Sequence, residues 1–101
     1  MTAPAIEFAG YTCVIDVLQY RNGRVALRLV DAYGGAPVAT ATVNLPDEVM
    51  EPGEVAIKDY SENEGMLATL VAAGIVGEPV RTVSSGWVTV PICPLLTEVE
   101  P

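Results

Sequence analysis

Asn22 and Gly23 constrain this chain more than any other pair, because they separate two runs in which apolar side chains recur at every second position. Asn-Gly tolerates the positive φ values that a tight hairpin requires. Before it, residues 12–20 (TCVIDVLQY) alternate Cys13, Ile15 and Val17 with Val14, Asp16, Leu18 and Tyr20. After it, residues 24–30 place Val25, Leu27 and Leu29 on one face and Arg24 and Arg28 on the other. A period of two on both sides of a turn signal predicts two antiparallel strands, each burying one face. Asp16, an acid inside an apolar strand, must then be paired or face solvent, and the hairpin puts Arg24 or Arg28 across from it.

The β pattern continues. Asp31–Pro37 is rich in turn formers, and Val38–Val43 (VATATV) reads as a third strand. Asn44–Glu54 holds acids, two prolines and a glycine, which leaves room for a loop with at most one helical turn. A short strand is predicted over Val55–Tyr60. Ser61 and Glu64 have the spacing of a capping box, which predicts a helix over 62–73 with Met66, Leu67, Leu70, Val71 and Ala73 or Gly74 as its apolar stripe and Gly74 as the terminating C′ glycine. Ile75 and Val76 read as a hydrophobic anchor beyond it. Val80–Ser84 and Trp87–Cys93 form a second hairpin around Ser85-Gly86, with Val88, Val90 and Ile92 on one face. Pro91 has no amide to give a ladder, so an edge position is expected for this last strand, or at least for its end.

The expected fold class is α+β: a mainly antiparallel sheet of five to six strands, in the order β-β-β-β-α-β-β, with one helix packed on one face. At 101 residues the chain suits a single domain, with an ordered core over about 10–95 and fraying at 1–6 and 97–101. Half the residues are hydrophobic and mean hydropathy is +0.39, too apolar for disorder. The first residues lack a basic start and long apolar core, and no run approaches the roughly 20 residues of a membrane span, so a cytoplasmic location without membrane contact is expected. There Cys13 and Cys93 are expected as buried thiols, with a disulfide as the alternative.

With no histidine, the imidazole general base and the Ser-His-Asp and Cys-His arrangements are absent. No glycine cluster has phosphate-loop spacing, and two isolated thiols do not make a zinc ligand set. No enzyme, no cofactor and no metal are expected. Lys58, the only lysine, reads as an exposed strand residue paired with a neighbouring acid or guarding a sheet edge.

Charge is the remaining signal. Thirteen acids oppose five bases, a net charge of −8, which excludes a general nucleic-acid binder. Seven of the acids, Asp47, Glu48, Glu51, Glu54, Asp59, Glu62 and Glu64, lie in one stretch against Lys58 alone and supply −6 of that total. The stretch reads as a solubilising face with helix N-terminal acids, as a surface that meets a basic protein or nucleoprotein complex, or as a hard-cation site without the interleaved pattern of a calcium loop. Trp87, just past the Ser85-Gly86 turn, is a candidate partner anchor. The apolar content exceeds what one layer interface readily consumes, so self-association through a sheet edge or apolar face, for example as a homodimer, is the alternative.

At Ala39–Pro46 (ATATVNLP), Ile57–Gly65 (IKDYSENEG) and Gly74–Val76 the chain resembles a family of small uncharacterised proteins carried by bacterial plasmids, integrated elements and phages. The match spans roughly residues 20–95. The resemblance transfers no catalytic or binding residue. It implies a context in which small acidic proteins block host-defence complexes by binding them, as an anti-CRISPR protein does.

Overall fold

Strands Tyr11–Gln19 and Val25–Asp31 pair antiparallel without a break from Cys13↔Asp31 to Gln19↔Val25. In this computed structural model, which describes residues 5–96, Tyr20 N–H donates to Arg24 O at 2.8 Å and encloses a three-residue loop, Arg21–Gly23, in which Gly23 donates its N–H to Tyr20 O over 2.9 Å. Only Gly23 takes a left-handed φ, 87°, as the third residue of a type I turn plus bulge. Asp16 faces Arg28 in the register and forms a 2.6 Å ion pair with it, as the alternation predicts.

We number the strands β1 (Ile6–Phe8), β2 (Tyr11–Gln19), β3 (Val25–Asp31), β4 (Pro37–Thr40), β5 (Glu54–Ala56), β6 (Arg81–Ser85) and β7 (Val88–Pro94), with one helix, α1 (Met66–Ala72), between β5 and β6. The fold is α+β, with antiparallel strand pairs and a single α-helix. The strands divide between two sheets, β1-β2-β3-β4 and β5-β7-β6, rather than forming one. The division falls at Ala41–Val43. Ala41 N–H donates to Leu27 O of the first sheet, while Ala41 O accepts from Lys58 N–H and Val43 N–H donates to Ala56 O of the second. Thr42 locks the corner: its hydroxyl accepts from Leu27 N–H at 3.2 Å and bonds the Tyr20 hydroxyl at 2.9 Å. β1 lies before the expected start of the ordered core near residue 10, and its Ile6 is buried. The expected fraying of residues 1–4 and 97–101 falls outside the described residues.

Pro91 is in the middle of a sheet and not at its edge, since β7 runs between β5 and β6. Its carbonyl accepts from Ile57 N–H at 3.0 Å, so Pro91 faces the β5 side and returns no bond there. Consistent with that missing donor, β5 ends at Ala56 and Ile57 only bridges Thr42. The expected strand to Tyr60 is cut short.

The predicted helix over 62–73 and its capping box are also corrected. Ser61–Asn63 is a 3-10 turn, Ser61 has φ 56°, Gly65 has φ 96°, and no side chain of the Ser61/Glu64 pair caps anything. Asn63 explains the interruption. It is buried, and its Nδ2 donates to Thr40 O at 2.6 Å, which ties the turn to β4 before the helix begins. Asp59 caps α1 instead, accepting from Gly65 N–H at 3.1 Å and Leu67 N–H at 2.9 Å. The predicted end is present: Gly74, with φ 73°, donates to Val71 O and Ile75 donates to Leu70 O, a Schellman motif. Ile75 and Val76 are buried beyond it, clipped to the end of β7 by Gly77 N–H to Pro94 O and Leu96 N–H to Ile75 O.

One core lies between the sheets and the helix, built on Leu27, Leu29, Ile57, Met66, Leu70 and Val76. A smaller cluster of Ala56, Val90 and Ile92 occupies the other face of the second sheet. On the β5 side of that sheet both faces are therefore buried, in alternation: Val55 belongs to the larger core and Ala56 to the smaller. Asp59→Ala is expected to lower stability by about 1 kcal/mol through loss of the helix cap. Glu64→Ala, the other candidate cap residue, is expected to change it by less than about 0.5 kcal/mol, both read from urea midpoints.

Candidate functional site

The smaller cluster is covered by the acidic loop. Val43, Leu45 and Met50 pack their side chains against the cluster that holds Val90 and Ile92, so these three apolar residues of the segment point inward, while Val49 does not. Two arginines hold it there. Arg24, which follows the β2–β3 turn, donates to the carbonyls of Leu45 and Glu48 and approaches Met50 Sδ at 3.5 Å. Arg81, at the start of β6, donates to Val49 O at 2.9 Å and grips both Glu54 carboxylate oxygens at 2.9 Å. Asn22 adds a 3.1 Å bond to Asn44. The loop is thus fixed through its backbone from two sheets at once, and the turn that closes the first hairpin supplies one anchor.

These anchors separate the seven acids. Glu54 is nearly enclosed, with its side chain 12% exposed against Arg81, and its Oε1 also accepts Glu51 N–H at 2.9 Å. That backbone bond, reinforced by Arg81 and opposed by burial, holds its carboxyl below the ordinary 4.5. Asp59 is committed to the helix start. Glu62 pairs with Lys58, which lowers the acid and raises the amine; the lysine also lies 5.7 Å from the Tyr60 ring centre. The neighbouring acid expected for Lys58 is therefore Glu62, but the lysine lies beyond the end of β5 and is half-buried, not on an exposed strand. Asp47 and Glu51 are exposed, Glu48 is half-buried with its carbonyl held by Arg24, and Glu64 is exposed on the far side of the 3-10 turn. Val49 stands among the loop acids, 83% exposed although its carbonyl is gripped.

Trp87 is fully exposed at the tip of the second hairpin, away from the loop. Five residues separate it from Arg81, four of them in β6, a span of about 15 Å. The candidate residues therefore form three places: the loop, the turn before α1 and the hairpin tip. Arg24, Arg81 and Asn22, which build the first of these, were not singled out from sequence as its anchors. Nothing in the spacing of an arginine shows that its partners will be carbonyls of a distant loop.

A cleft of about 210 Å³ lies between the β2–β3 turn and the loop, lined by Arg24, Val25, Met50, Glu51, Pro52 and Glu54. Its two strongest polar groups already serve the loop. Cys13 and Cys93 are free, buried thiols; desolvation raises both, with Asp31 and Glu7 adding for Cys13, and Cys93 is pushed up to about 11 by burial and then Glu78. Among the described residues no group of three or more Cys, Asp or Glu side chains could hold a metal ion, and no helix is long and apolar enough to cross a membrane.

A carboxylate favoured in the folded state adds stability that is present above its unfolded value and lost as pH falls through the folded one. Wild type should therefore lose the Glu54 contribution on acidification below about pH 4.5. The gap in urea midpoint between wild type and Glu54→Gln should be widest near pH 7 and close as pH falls through the lowered folded-state value of Glu54. A gap independent of pH would contradict this role. No family model, curated protein or solved structure matches this chain, so its function is argued from these side chains.

Proposed function

We propose that this is a non-enzymatic binding protein that presents the Asp47–Glu54 loop to a basic protein or nucleoprotein complex in the cytoplasm, serving a phage or mobile element as an inhibitor of a bacterial defence complex such as CRISPR-Cas. The observation that carries the reading is the anchoring of the loop through the carbonyls of Leu45, Glu48 and Val49. Backbone anchoring leaves the Asp47 and Glu51 side chains outward around an exposed valine. A charged loop that is already ordered loses little conformational entropy on docking, which favours recognition by complementary charge. An apolar tip among acids also suits a site with a basic rim and a small apolar centre. The resemblance to proteins of mobile elements supports the biological setting, by analogy.

The loop variant Asp47→Asn/Glu48→Gln/Glu51→Gln keeps every carbonyl anchor and removes three charges. Wild type immobilised from its source-cell extract is expected to retain a basic partner, with affinity falling as salt rises. The variant should bind that partner about tenfold or more weakly with an unchanged urea midpoint. Equal binding by both proteins would refute the acidic loop as the interface.

A further inference from the structure

From the free edge of the second sheet we infer that β6 pairs antiparallel with β6 of a second copy about a two-fold axis at Val83. The inference is independent of the acidic-loop reading. The outer strands differ in how they are guarded. β1 has three residues, β4 carries Pro37 and a register shift at Leu29/Val30, and the β5 side receives Val43 and is bridged by Thr42. β6 has five residues in unbroken register with β7, and no proline, lysine or bulge. These are the devices that normally prevent strand addition.

The geometry also identifies the groups it offers. Thr82 pairs with Pro91, whose carbonyl faces β5, so Thr82 and Pro91 form a non-hydrogen-bonded pair and the Thr82 N–H and C=O point away from β7. Ser84, two residues on, points the same way. No backbone bond from another described segment reaches either residue. A two-fold at Val83 sets Thr82 opposite Ser84 of the second copy and Ser84 opposite its Thr82, so the outward donors and acceptors of each strand meet those of the other. Such an isologous contact closes on itself as a dimer.

Side chains select this occupant and direction. In a chain of net charge −8, β6 carries no acid, and its single charge, Arg81, is paired with Glu54. Like-charge repulsion is therefore small along this edge. Trp87 beyond one end of β6 is fully exposed, and Val80 before the other end is 59% exposed. Antiparallel pairing places Trp87 of each copy beside Pro79 and Val80 of the other, whereas parallel pairing would leave these groups apart. The arrangement covers two otherwise solvated apolar groups at each end.

Sedimentation equilibrium of wild type, with fluorescence of its single tryptophan, tests the pairing. A concentration-dependent dimer is expected, with Trp87 emission shifting to the blue as dimer forms. Ser84→Pro removes only an outward N–H and is compatible with an edge strand; Trp87→Ala removes a side chain that touches nothing in the monomer. Each should weaken the dimer about tenfold or more, and Trp87→Ala should leave the urea midpoint of dilute protein unchanged. A wild type monomeric up to about 1 mM, or a dimer equally stable in both variants, would overturn the pairing.

Discussion

Two guanidinium groups donating to the carbonyls of one loop hold this molecule's second layer in place. Arg24 comes from the first sheet and Arg81 from the second, and both reach the segment between Leu45 and Glu54. Backbone carbonyls in a covering loop need donors once water is excluded, and an arginine supplies several from one planar group. With the loop held, Val43, Leu45 and Met50 cover Val90 and Ile92, and β5 with the C-terminal half of β7 is buried on both faces. Without it, a short sheet would leave an apolar face in water.

The same contacts organise the charge. Of the five basic residues, Arg28, Lys58 and Arg81 pair with Asp16, Glu62 and Glu54, and Arg24 serves the loop carbonyls. The positive charge is largely used to fix structure. The acids without such a role, Asp47 and Glu51 above all, stay exposed on a scaffold that does not depend on their side chains. A surface of this kind can lose charge without losing the fold, which separates the proposed interface from the residues beneath it.

Much of this was legible from local patterns. The Asn22-Gly23 turn, the two-residue period of β2 and β3, the Asp16–Arg28 pair, the C′ glycine at Gly74 and the shared face of Val88, Val90 and Ile92 follow from backbone geometry or from neighbours in one hairpin. The misread features depend on distant partners. Ser61 and Glu64 have capping spacing, but Asn63 is drawn to Thr40, twenty-three residues away, and Asp59 takes over the cap. Pro91 suggests an edge until Ile57 is seen to need only its carbonyl. In the candidate site, the clustering of acids in sequence was plain, but the division between structural Glu54, Asp59 and Glu62 and outward Asp47 and Glu51 was hidden, because it depends on where Arg81, Lys58 and the helix start lie in space.

Backbone 15N relaxation across residues 45–54 tests the central claim most directly. If Arg24 and Arg81 fix the loop, its amides should show order parameters near those of the strands, about 0.85, in wild type and fall below about 0.6 in Arg24→Ala/Arg81→Ala. A wild-type loop already below about 0.6, or one equally rigid after both guanidinium groups are removed, would contradict the account.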